Sequence, residues 1–148
     1  MTERARRVLQ DCKFALEKFE SGPVIDEFRL TLVLCLTLLR SVGHVLKNEA
    51  QETTHLQVAL DSTWPEKKRS PIFIEFIEEY RNKVVKEYRS PVRWVSHSSV
   101  EDNRSWMEYP ITAGQYTGRD VREVIQEAIA WWEGYLVELE TMLANEPR

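Results

Sequence analysis

LTLVLCLTLLRSVGHVL, residues 30–46, decides how the rest of this chain has to be arranged. At ~100° per residue, its apolar side chains cover nearly the whole circumference of a helix. Leu30, Leu34, Leu38 and Val45 fall on one side, and Leu32, Cys35, Leu39, Val42 and Leu46 on the others. A helix apolar all round belongs inside a core. One narrow stripe breaks the pattern: Thr37, Arg40, Ser41 and His44, spaced i, i+3, i+4 and i+7. Polar groups carried inward must find partners, so this candidate buried polar stripe is either a structural hydrogen-bond network or a site.

On the N-terminal side, Ala5, Val8, Leu9, Cys12, Ala15, Leu16 and Phe19 repeat at helical spacing and predict an amphipathic helix over residues 2–19. Ser21-Gly22-Pro23 ends it and opens the central helix, with Pro23 in the first turn. On the C-terminal side, the polar residues 48–54 interrupt the pattern, residues 55–60 add a short helix, and residues 61–69 (DSTWPEKKR) form a loop. Ser70-Pro71 then reads as N-cap and first residue of a helix to about Tyr88, with Phe73, Ile77, Tyr80, Val84 and Tyr88 inward.

Residues 90–116 lose the helical period and form an irregular or hairpin insertion, in which residues 92–94 and 106–109 flank a polar turn at 101–104. Thr117-Gly118-Arg119-Asp120 resembles a capping box with Asp in place of Glu. It opens a long stripe running from Val121 through Ile125, Ala128, Trp132 and Leu139 to Leu143. The expected fold is all-α: one domain over residues 1–148, an antiparallel bundle of four main helices with a loop or short β-hairpin before the last. Leu34, Leu38, Val42, Phe73, Ile77, Val84, Ile125, Trp132 and Leu139 should form its core. Three apolar-rich helical faces, with further aromatics at Trp131, Trp132 and Tyr135, exceed what one small bundle covers, which predicts a homodimer.

A length of 148 residues, 43% of them hydrophobic, suits one domain with a real core. The net charge of -4 argues against a general nucleic-acid coat, although the acidic excess is concentrated in the last third. Two cysteines, Cys12 and Cys35, read as buried thiols of a cytoplasmic protein. The N-terminus is charged, without the apolar core of a signal peptide. The strongest apolar run, residues 30–39, is bracketed by Arg29 and Arg40 and is shorter than the ~20 residues of a membrane span, so no membrane association is expected.

Few motifs carry chemistry. Glu52-x-x-His55 has the spacing of a di-iron ligand pair, but such sites need a second copy and two more glutamates, so no metal or cofactor is assigned. Arg40 and His44, one turn apart, offer a phosphate-binding guanidinium beside an acid/base imidazole. Lys67, Lys68, Arg69, Arg81, Lys83, Lys86, Arg89 and Arg93 make either a solvated helix face or a basic edge, with Trp94 as a stacking surface for a base. Arg81 stands at the border of an apolar stripe, where an arginine needs a partner.

The order of these parts resembles the HEPN superfamily: an apolar helix ending LLRSVGHVL, a Pro-started helix PIFIEFIEEYRNKVVKEYR, and a long closing helix. The resemblance implies a small helical bundle, often dimeric, of a kind that includes metal-independent ribonucleases and RNA-associated partners in toxin and defence systems. The superfamily signature is an Arg, commonly followed by a polar residue, and a His separated from that Arg by four to six residues. Arg81-Asn82 matches its first half. The positions open to the His hold Lys86, Glu87 and Tyr88, while Arg40 to His44 and Arg93 to His97 are each one residue too close. In such ribonucleases the Arg holds phosphate and the His exchanges a proton with the sugar hydroxyl, which a lysine titrating near ~10.4 does poorly at neutral pH. The resemblance therefore implies a non-catalytic homodimeric domain that binds RNA or a protein partner, with Arg81, Asn82, Lys86 and Arg89 as the candidate RNA- or phosphate-binding residues. The alternative is a metal-independent endoribonuclease using Arg81 with Lys86 or His44.

Overall fold

The computed structural model describes residues 1–22, 25–89 and 91–146. It is mostly helical, with one small antiparallel hairpin. α1 (Glu3–Glu20) and α2 (Ile25–Glu52) are joined at a turn where Gly22 takes φ +81°, a conformation glycine adopts without strain. Pro23, expected in the first turn of α2, lies outside the described residues. α1 buries the stripe expected of it, Ala5, Leu9, Cys12, Ala15, Leu16 and Phe19.

α2 runs further than its pattern suggested, straight through the polar residues after Lys47. Glu49 explains why: its carboxylate, almost fully buried, accepts from the backbone N–H groups of Ala5 at 2.7 Å and Arg4 at 3.1 Å. It thereby caps the otherwise unpaired first turn of α1. Only Thr53 separates α2 from α3 (Thr54–Lys67), so most of the segment expected as a loop at 61–69 is helix and holds Pro65 within it.

The expectation that α2 is buried all round needs correction. Leu32, Cys35, Leu36, Leu39, Val42 and Leu46 are inside, but Leu30 is 60% exposed, Leu34 is 48% exposed, and Leu38 and Val45 are half-buried. Leu34 and Leu38 therefore leave the list of fully buried core residues; the other seven expected there are buried. The polar stripe is also not inside: His44 is exposed, and Thr37, Arg40 and Ser41 are half-buried. By length and composition α2 could cross a membrane, with a mean hydropathy of 1.5, yet one whole side of it is packed against α1 and α5 as a core helix.

Residues 72–86 form one helical rod in two parts, a π-helical stretch (Ile72–Tyr80) and α4 (Arg81–Lys86). Ser70 gives no side-chain cap; its carbonyl accepts from the N–H groups of Phe73 and Ile74 instead. Phe73, Phe76, Ile77, Tyr80 and Val84 face inward, whereas Tyr88, expected to continue the stripe, lies beyond the helix with φ +53° and is exposed.

The insertion is a hairpin, β1 (Val95–Ser99) with β2 (Arg104–Glu108), in the register that sets His97 opposite Trp106; Ser90, its first expected residue, lies outside the described residues. α5 (Val121–Ala144) is capped by Asp120, not by Thr117 as the capping-box pattern suggested. The Asp120 carboxylate accepts from the backbone N–H of Arg122 and of Tyr109, so one side chain both starts α5 and ties the hairpin to it.

Trp131, Trp132 and Tyr135 are not spare surface. With Trp64 and Phe73 they form an aromatic cluster where α3, α5 and the π-helical stretch meet, ring centroids 4.7–6.4 Å apart. Trp132 is fully buried and its indole N–H donates to the carbonyl of Leu39 at 2.8 Å. Trp132 and Tyr135 are buried and Trp64 and Trp131 half-buried, and the large apolar side chains left exposed include Leu30 and Leu34 on α2, Phe14 on α1, Val58 on α3 and Val137 on α5.

Candidate functional site

The site is built on two rods lying side by side in opposite directions. Arg29 near the start of α2 lies 5.5 Å from the ring of Tyr88, and Arg40, eleven residues on, reaches Glu78 at 3.5 Å. This pairing brings Arg40 and Arg81 into one cluster, although 41 positions separate them in sequence.

Arg40 is held by shape. Gly43, buried one turn further along α2, leaves room for its head group: a Cβ there would stand 3.2 Å from Arg40 Nη1 and 3.1 Å from the Trp132 ring. The guanidinium carbon lies 5.5 Å from the centre of the Phe73 ring, a cation–π arrangement. Nη2 pairs with Glu78, while Nη1 is buried and has no hydrogen-bond partner among the described residues.

Arg81 is in the same condition. Its Nη1 donates to Asn82 Oδ1 at 3.0 Å, and its Nε is buried without a partner among the described residues. Burial pushes the Arg40 pKa down, and the Arg81 charge pushes it further, against the pull of Glu78. An unpaired buried N–H on a cation is costly, and here two of them belong to cations that repel each other.

His44 completes the group. Its pKa is lowered first by burial, then by Arg40, Lys47 and Arg81, with Glu78 opposing. Three cations thus stand around one carboxylate and an imidazole held neutral at pH 7. The cluster carries more positive than negative charge, and a phosphate or carboxylate would balance it.

The chain matches no family model, no curated protein and no solved structure.

The expected site residues divide accordingly. Arg40, His44, Arg81 and Asn82, two pairs with no sequence link, come together. Thr37 and Ser41 bond within α2, the Ser41 hydroxyl donating to the Thr37 carbonyl at 2.8 Å. Lys86 and Arg89 are exposed and make no ion pair among the described residues. Glu52 and His55 turn to different partners, Arg4 at 2.9 Å and Glu146. Lys67 is taken by Glu138 at 2.7 Å. Cys12 and Cys35 are buried neighbours, the Cys12 thiol directed at the Cys35 carbonyl at 3.6 Å; burial pushes the Cys35 thiol up to about 12 and Cys12 higher still, so neither is a nucleophile near neutrality.

Gly43, Lys47 and Glu78 belong to the site without having been singled out from sequence. Glu78 was within reach, since a residue three before Arg81 shares its helical face. Gly43 and Lys47 matter only because a second rod packs beside α2.

Proposed function

We propose that the protein is a homodimeric, HEPN-like cytoplasmic domain that binds RNA through phosphate, without cleaving it, at Arg40 and Arg81. In this reading α1, α2, the 72–86 rod and α5 are the four main helices of an antiparallel bundle, α3 is an addition to it, and the hairpin is the insertion before the last helix. The observation that carries the binding role is the pair of buried guanidinium N–H groups, Arg40 Nη1 and Arg81 Nε, without a partner among the described residues and in one cationic cluster. Asn82 fixes the Arg81 head group, and exposed Lys86 and Arg89 extend the positive surface along the strand. A protein partner offering a carboxylate or phosphate is the other occupant of the same chemistry.

A second reading is favoured by His44. The signature position is occupied by Lys86, but His44 stands in the field of Arg81 from the neighbouring helix and is neutral at pH 7, the form a general base needs. On that reading the domain is a metal-independent endoribonuclease in which His44, not Lys86, exchanges the proton.

One labelled single-stranded RNA tests both. Binding by the parent should weaken steeply with salt and fall at least tenfold in Arg81→Ala, with no cleavage in the presence of a chelator. Equal binding by parent and Arg81→Ala removes the RNA role. Cleavage by the parent that is lost in His44→Ala replaces the binding domain with the nuclease.

A further inference from the structure

Beyond the arginine cluster, the same face of α2 continues toward α3. Arg40, His44, Lys47 and Gln51 stand at i, i+4, i+7 and i+11, so the four side chains share one line along the helix. Lys47 lies seven residues past Arg40, about 10 Å along the axis at ~1.5 Å per residue. There the face borders a cavity of about 300 Å³ between α2 and α3, lined by Lys47, Gln51, Gln57, Leu60, Asp61 and Trp64.

The cavity joins a fixed aromatic wall to a polar rim. On the protein side the Trp64 indole is parallel to Trp132 within 8°, centroids 6.1 Å apart, and edge-on to Phe73 at 5.0 Å. Over the indole stands the Lys47 ammonium, 5.2 Å from the ring centre. That ammonium makes no ion pair among the described residues, although Asp61 borders the same cavity. At the rim, the Gln57 amide donates to Asp61 Oδ1 at 2.8 Å. Asp61 Oδ2 and the Gln51 amide have no hydrogen bond among the described residues, and both residues are exposed.

We infer that this cavity is a base subsite: it takes one unpaired base of the bound RNA and prefers a base with an exocyclic amino group, such as adenine or cytosine, to uracil. The inference rests on the reading of Arg40 and Arg81 as a phosphate site and names what is recognised beside it. Unpaired bases stack on aromatic side chains and are read along their edges. Here the base lies on Trp64, and Lys47 moves off the indole to the neighbouring phosphate. Asp61 Oδ2 accepts an N–H from the amino group, while the Gln51 amide offers both a donor and an acceptor to the adjoining edge. Uracil turns a carbonyl oxygen to the same carboxylate, and two acceptors repel. A wholly apolar ring would leave the rim groups unpaired.

Three labelled heptamers at low salt test this on the full chain: one of adenosine, one of uridine, and one of ribose phosphate without bases. The parent should bind the adenosine heptamer roughly tenfold more tightly than the uridine one, and the abasic one most weakly. Trp64→Leu, checked for folding by circular dichroism, should lower the adenosine affinity to the abasic level. Asp61→Asn, at an exposed position, should bring adenosine and uridine within about twofold; the change of charge acts on both RNAs alike, so their ratio reads the edge contact. Equal binding of all three heptamers by the parent, or an adenosine-to-uridine ratio unchanged in Asp61→Asn, overturns the subsite, and leaves the phosphate site standing if Arg81→Ala weakens all three. A base preference that Arg81→Ala leaves at full affinity overturns the phosphate site and keeps the cavity. Failure of the parent to bind any of the three overturns both.

Discussion

At the scale of single residues, the two arginines matter through what they lack. Among the described residues each has one buried N–H without an acceptor, and their charges oppose one another. His44 reports on that field. Its pKa should lie below the ordinary ~6.5 and rise in Arg81→Ala, since removing a nearby cation favours the imidazolium; NMR titration of the ring protons checks both. The sign for stability follows from linkage. The folded state holds this proton less tightly than the unfolded chain, so its contribution is complete above about pH 6.5 and declines as pH falls through the lowered pKa. Gly43 offers a second test. An alanine there improves helix propensity but presses on Arg40 Nη1 and on the Trp132 ring, and of the two the guanidinium is the freer to move. Gly43→Ala should therefore change the melting temperature little and weaken anion binding, measured on the same RNA; undiminished binding would show that Arg40 is not held by that fit. None of this geometry was legible in the sequence. Arg40 with His44 and Arg81 with Asn82 could each be noticed as local pairs, but their meeting depends on two rods packing in opposite directions.

At the scale of elements, α1, α5 and the 72–86 rod were legible because their apolar residues form a stripe of one width, and a single buried face follows from that. α2 was misread for the opposite reason. A helix apolar all round contains no signal that says which side is inside, so Leu34 and Leu38 were expected in the core together with Val42. The difference is measurable. Leu39→Ala should cost ~2–5 kcal/mol, because it empties a fully packed site beside Trp132. Leu34→Ala should cost far less in the isolated fold, and denaturant melts of the two variants side by side would decide it. The polar stretch after Lys47 looked like a break because nothing local shows that Glu49 will cap α1 from 44 residues away. Asp120 is similar in kind. Burial pushes its pKa up, but hydrogen bonds from Arg122 and Tyr109 more than offset this and hold the carboxyl below its ordinary value. Asp120→Ala should cost ~0.5–2 kcal/mol and loosen the hairpin from α5, seen as faster amide exchange at Tyr109.

At the scale of the whole molecule, a mostly helical chain gathers Trp64, Phe73, Trp131, Trp132 and Tyr135 into one cluster and leaves exposed leucines on α2 beside a cationic cluster. The fold class and the presence of a hairpin could be read from periodicity and from the loss of it. Exposed apolar side chains could also be expected, although not their place: Trp132 is buried against Trp64 of α3, while Leu34, which looked internal, is exposed. The central claim is that Arg40 and Arg81 hold one phosphate between them. A double-mutant cycle on one labelled single-stranded RNA at low salt tests it most directly, with the parent, Arg40→Ala, Arg81→Ala and the double variant. If both guanidinium groups grip the same anion, each single change should cost roughly tenfold or more in affinity and the double change little beyond either one. Losses that simply add, or affinities that do not change, would show that the two arginines do not form a shared site.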